Sequence, residues 1–184
     1  LVETPELQWI KAQVLTAGNR PAEAEKIIAM LLEKAPDRLG VEKLEMAMLQ
    51  LEAQQGKREA VARRVEQILA KDPGNPSALY YRAMANMQGA EPNLDAAARD
   101  LQAVREKQPN NIDARYWLAE VFRRRNDVDR ATRELDAALA EAPANRAIRM
   151  KLIELYLAAK PPRYSDVERL IREAVANPEL KDDP

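Results

Sequence analysis

The sequence contains no cysteine and no histidine. Without cysteine there is no disulfide and no thiolate to act as nucleophile or metal ligand. Without histidine the commonest general base and most zinc sites are gone too. Serine occurs only at Ser77 and Ser165, both at expected helix starts, where a capping hydroxyl accounts for them. Gly18, Gly40, Gly56, Gly74 and Gly89 are the only glycines and form no phosphate-cradling motif. "NDVD", Asn126–Asp129, hints at a calcium loop but lacks its glycine and distal glutamate. Acidic pairs such as Glu120 and Glu154 would do acid–base work only in a desolvated pocket. The chain is therefore read as a non-enzyme, with no catalytic residue, no metal and no cofactor.

Other absences narrow the class. Aromatic residues are 4% of the chain, and no apolar run approaches the roughly 20 residues of a membrane span. With 29 Lys and Arg against 30 Asp and Glu, the net charge of −1 lacks the basic excess of a nucleic-acid binder. Val, Ile and Thr never cluster in alternating runs, so strands are not expected. What is present is Ala, Leu, Glu, Arg and Lys, the strong helix formers. The reading is all-α. The chain opens "LVETPELQW", without Met and without a signal-peptide pattern, and is expected to be a piece of a longer or processed protein. Composition leaves the compartment open between cytoplasm and periplasm.

Prolines that end helices fall at Pro36, Pro73, Pro109, Pro143 and Pro178, at intervals of 37, 36, 34 and 35. A period in this range marks a stacked array instead of a single core. In the uninterrupted 34-residue interval, "RYWLAEVFRRR" puts Leu118, Val121 and Phe122 on one helix face. "ATRELDAALAEA" does the same with Leu135, Ala138 and Leu139. Excess residues fall in the joints "DRLGV", "GAEPN" and "KPPRYS", where an array tolerates insertion. Gly18-Asn19, Gly56, Gly89 and Asn126 occupy the turns inside the pairs, where a left-handed backbone is expected.

This pattern resembles the tetratricopeptide repeat, an antiparallel helix pair with small residues where its helices cross. Leu118-Ala119, Phe122, Ala131, Leu135, Ala138 and Pro143 match the family positions. The resemblance implies a right-handed superhelical α-solenoid of five antiparallel helix pairs. It also implies that residues 1–184 form one array, with repeats near 5–38, 42–75, 76–111, 112–145 and 146–180. Leu49 and Ile153 stand where the family prefers a small residue, so their helix crossings are expected to be looser.

By the same resemblance, first helices line a concave groove. Its fifth position reads Trp9, Met46, Tyr80, Tyr116 and Met150; its ninth reads Gln13, Gln50, Met84, Glu120 and Glu154. The twelfth adds Thr16, Ala53, Met87, Arg123 and Leu157. Tyr81 and Trp117, one position after the fifth, are assigned to packing between pairs. No Asn appears at the ninth position, against the family's clamp for C-terminal carboxylates. "FRRRND" ends a first helix, where Arg123, Arg124 and Arg125 meet the dipole favourably.

The expected function is a protein-binding scaffold holding a peptide or partner helix in that groove, with no nucleic-acid partner and no direct membrane insertion. The alternative is a structural or self-assembling segment of a longer array, by analogy with bacterial envelope and polysaccharide-export assemblies. Neither end carries a polar capping helix, and "ERLIREAV" would expose Leu170, Ile171 and Val175 to a second copy.

Overall fold

The computed structural model describes residues 3–88 and 91–180, so Gly89 lies outside the described residues. The chain divides into two compact units, Leu1–Ala85 and Asn86–Pro184. The first holds α1 (Pro5–Ala17), α2 (Pro21–Lys34), α3 (Pro36–Leu39), α4 (Val41–Gln54) and α5 (Arg58–Lys71). It also holds all but the last residue of α6 (Pro76–Asn86). The second holds α7 (Leu94–Lys107), α8 (Ile112–Arg124), α9 (Val128–Glu141), α10 (Arg146–Ala158) and α11 (Tyr164–Ala176). A 3-10 turn, Pro178–Leu180, follows. Successive long helices pack as antiparallel neighbours: α1 on α2, α2 on α4 and α4 on α5 in the first unit, and α7 through α11 in order in the second.

The prolines act as anticipated. Helices α2, α5, α7, α9 and α11 each stop two residues before Pro36, Pro73, Pro109, Pro143 and Pro178. A proline lacks the amide donor and pushes the preceding residue out of the helical region. One joint departs from the ten-helix expectation. After α2, Pro36 starts the short helix α3, because a fixed φ suits a first helical position. Gly40 ends it at φ 85.

The turns inside three pairs are identical in kind. Asn19, Gly56 and Asn126 adopt φ of 56, 67 and 60°. In each, the next amide reaches back five residues: Arg20 N to Leu15 O at 2.8 Å, Lys57 N to Glu52 O at 2.9 Å, and Asp127 N to Phe122 O at 2.9 Å. These bonds satisfy carbonyls left over at the helix end. Gly18 itself is right-handed at φ −79, so the left-handed residue of the first turn is Asn19 alone.

Helix starts follow a rule that the serines do not share. Asn75, Asn111 and Asn145 each stand two residues after a repeat proline. Their side chains accept from Ala78 N, Ala114 N and Ile148 N at 3.1, 2.9 and 3.1 Å. Ser77 and Ser165 lie one residue inside their helices, and α11 is preceded by Arg163 without a side-chain cap, so neither serine is the expected cap.

Burial explains how the pairs close. In the first unit Ala12, Ala24, Ile28, Leu31, Leu44, Met48 and Leu51 form one apolar cluster. In the second, Leu101, Leu118, Leu135 and Leu152 are fully buried on four consecutive helices. The pairs α1–α2 and α8–α9, with Ala12 and Ala119 at the crossing, pack more extensively than α4–α5 and α10–α11, with Leu49 and Ile153 there. A missing side chain lets two helix backbones approach; a branched one props them apart.

Candidate functional site

In the first unit, α1 and α4 leave a cleft of about 360 Å³ between them. Trp9, Gln13 and Thr16 line one wall, Ala47 and Gln50 the other, and Ala12 and Ile28 the floor. The helical spacing of residues 9, 13 and 16 puts all three on one face of α1. Thr16 Oγ1 donates to Ala12 O at 2.9 Å, so its hydroxyl is satisfied within the helix. Lys43 Nζ stands 4.4 Å from the centre of the Trp9 ring, a cation over its electron-rich face. Gln13 and Gln50 are exposed at the rim and offer amide donors and acceptors. The cleft is thus an apolar slot with an amide on each lip. Met46 is not part of it; it lines a separate depression of about 110 Å³ with Glu45, Ile68 and Lys71. Tyr80 and Met84, on α6, are half-buried, and Tyr80 meets Tyr81 edge-on with ring centres 5.6 Å apart.

The second unit is built differently. Tyr116 packs edge-on against Trp117 at 5.4 Å, and Glu120 follows one turn later. Arg123 donates to both oxygens of Glu120, at 2.7 and 2.6 Å, and Arg124 Nε adds a third bond at 3.0 Å. The hydrogen bonds from Arg123, with those from Arg124, outweigh partial burial and hold the Glu120 carboxyl down at about 2. Arg124 Nη1 also donates to Met87 O at 2.9 Å, and Arg125 pairs with Asp95. All three arginines of the basic run are therefore engaged within the protein. Met87 is only 5% exposed, so the expectation of a groove residue is corrected there. Met150 is exposed on α10, and Glu154 pairs with Lys151 at 3.0 Å.

Among the described residues no cluster of three or more acidic side chains is placed to hold a metal, and no helix is long and apolar enough to cross a membrane. A carboxylate clamped as low as Glu120 has no proton to give near neutral pH.

Residues 88–152 match the family model described as tetratricopeptide repeat. The fold is similar to MamA 41-end from Desulfovibrio magneticus RS-1, at 16% identity over 97% of each chain with a TM-score of 0.69. It is also similar to a thermophilic TPR protein from Thermus thermophilus, at 18% identity over 97% of this chain and 93% of that one, TM-score 0.69. A tetratricopeptide repeat protein from Parabacteroides merdae follows, at 17% identity over 97% and 68%, TM-score 0.68. No curated protein sequence matches. Residues 88–152 thus match the tetratricopeptide repeat, and the chain as a whole has the fold of the tetratricopeptide-repeat proteins it is similar to.

Tetratricopeptide-repeat proteins are in general protein-interaction scaffolds and typically non-catalytic. Within this repeat chain, the first unit brings Trp9, Gln13 and Gln50 together around one cleft. In the second, Tyr116, Glu120 and Arg123 gather beside Lys151 and Leu155, with no comparable opening. Some consequential residues were invisible in the pattern. Lys43, over Trp9, comes from the turn before the compared positions. Arg115 and Arg149 each donate to the carbonyl of the repeat proline six residues earlier, at 3.1 and 2.7 Å. Arg149 is buried and also donates to Leu170 O at 2.9 Å. Leu170, expected to be exposed, is fully buried; Ile171 and Val175 remain open.

Proposed function

We propose that this protein is a non-catalytic interaction scaffold whose first unit captures an apolar side chain of a peptide or partner helix between α1 and α4. One observation carries the reading: Trp9, Gln13 and Gln50, assigned to a groove by repeat position, wall a single open apolar cleft. Indole supplies area at low entropy cost, and the two amides suit a peptide backbone crossing the rim. The second unit supports a different role. Its equivalent face, lined by Tyr116, Glu120, Arg123 and Lys151, leaves no comparable opening and adds polar selectivity.

The test uses the intrinsic probe. A Trp117→Phe variant leaves Trp9 as the sole indole. Peptides selected from a displayed library on the whole chain should shift its emission, and Ala47→Phe, which fills the cleft, should abolish their binding. Selected peptides that bind Ala47→Phe undiminished and leave Trp9 emission unmoved would remove the cleft from consideration.

A further inference from the structure

We infer that the second unit carries a separate binding site for a carboxylate, between α9, α10 and α11. It is a cavity of about 320 Å³, independent of the α1–α4 cleft, with Arg149 and Arg169 on its walls and Leu139 and Pro143 on its apolar side. The preceding repeat shows what such a place holds. There Arg115 Nη1 of α8 donates to Glu134 Oε2 of α9 at 3.1 Å, and Arg105 of α7 pairs with the other oxygen. One carboxylate thus sits between two guanidinium groups. Arg115 Nε completes the arrangement by donating to Pro109 O at 3.1 Å. This counterpart is made by α7, α8 and α9 alone, with α10 and α11 following it, so the site is internal to a repeat and the helix before it.

Repeat spacing carries both partners forward, and one of them changes sign. Arg115 and Arg149 each stand four residues after a capping asparagine, Asn111 and Asn145. Glu134 and Arg169 each stand nine residues before a repeat proline, Pro143 and Pro178. The first arginine is kept, and its carboxylate has become a second arginine. The guanidinium of Arg149 is turned relative to that of Arg115. Nη2 takes the proline carbonyl, at 2.7 Å from Pro143 O, and Nη1 goes to Leu170 O at 2.9 Å. Nε is left buried with no acceptor among the described residues. A buried donor without a partner is costly, and so is a buried cation without a close counter-charge. The nearby acids do not replace Glu134. Glu173 reaches Arg149 only at 3.5 Å and is shared with Arg169 at 3.1 Å. Asp136 accepts from Tyr156 at 2.6 Å, and Asp136 and Asp166 stand 3.5 and 3.8 Å from Arg169. A carboxylate entering on a short aliphatic stem supplies what is missing. Its stem meets Leu139, which stands where the preceding repeat has Arg105, and its oxygens accept from Arg149 Nη1 and the fork of Arg169. Arg149 then takes the pose of Arg115, with Nε on the proline carbonyl.

Propionate, the end of a glutamate side chain, is the probe. In a nitrogen–proton correlation spectrum of the whole chain, the Nε–H signal of Arg149 should move saturably as sodium propionate is added at constant ionic strength. Propionamide, its neutral counterpart, should leave the signal in place. Arg169→Glu changes an exposed side chain and restores the acid of the preceding repeat within the chain. It should keep its helicity by circular dichroism and lose the response to propionate. A capped Gly-Glu-Gly peptide that moves the same signal assigns the carboxylate to a partner's side chain, whereas a response to propionate alone assigns it to a free small acid. No saturable movement with either probe overturns the site. So does a movement that persists in Arg169→Glu, since the filled position would then not be the one that binds.

Discussion

Asn126 holds a backbone that side chains resist, at φ 60, because it starts the turn from α8 to α9. Asparagine tolerates this region through its short polar side chain, and glycine tolerates it without cost. Asn126→Val should lower stability by about 1–2 kcal/mol in urea titration, while Asn126→Gly should be neutral or slightly stabilising. Equal destabilisation by both would show that the amide side chain, and not the backbone, sets the turn. Glu120 offers a second prediction at this scale. Its folded pKa, about 2, lies below the ordinary value near 4.5, so the carboxylate stabilises the fold above pH 4.5 and that contribution is lost as pH falls toward 2. Glu120→Gln should therefore reduce the melting temperature near neutral pH, with the gap to the unmodified chain closing in acid. A gap that stays constant with pH would mean that shape, not charge, is what the arginines read. Single-residue matters of this kind were only partly legible in the sequence. A left-handed joint was expected at Gly18-Asn19 as a pair, and only the structure assigns it to Asn19, because the terminus of α1 settles which residue lies one step past the last turn.

At the scale of the element, the repeat spacing foretold where helices stop far better than where they start. A proline acts by steric exclusion on its own neighbours, so its position alone predicts an end. A cap acts only from one register position, and a hydroxyl displaced by one residue caps nothing. That is why Ser77 was misread while Asn75, Asn111 and Asn145, in a Pro-x-Asn sequence, do the capping. The joint after α2 has Arg38 where the others have asparagine, and there the chain inserts α3. Asn111→Ala and Asn145→Ala should each cost about 1 kcal/mol. Ser77→Ala should leave the urea midpoint within the range of ordinary surface substitutions, about 0.5 kcal/mol either way. Which repeat positions line open space was likewise not legible from spacing alone. The α1–α4 cleft stays open because Ala12 and Ala47 are small, whereas Met87 is buried with its carbonyl held by Arg124. Burial of that kind depends on contacts far along the chain, which positional periodicity does not contain.

At the scale of the molecule, stability in such arrays is close to a sum of terms from each pair and its nearest neighbours. The chain's division into Leu1–Ala85 and Asn86–Pro184 gives this idea a sharp consequence. Leu44 is fully buried in the apolar cluster of the first unit, and Leu118 is fully buried in the second. Removing either side chain to Ala should cost about 2–5 kcal/mol in its own surroundings, through lost burial and an unfilled cavity. In one cooperative core both substitutions would lower protection everywhere by the same amount. In a chain governed by neighbour contacts the loss stays local, since opening one unit leaves the other's contacts intact. Native-state hydrogen exchange separates the two cases. Leu44→Ala should speed exchange in α2 and α4 while α8 and α9 keep their rates, and Leu118→Ala should do the reverse. A uniform acceleration across all of these helices in both variants would show that the two units unfold as one.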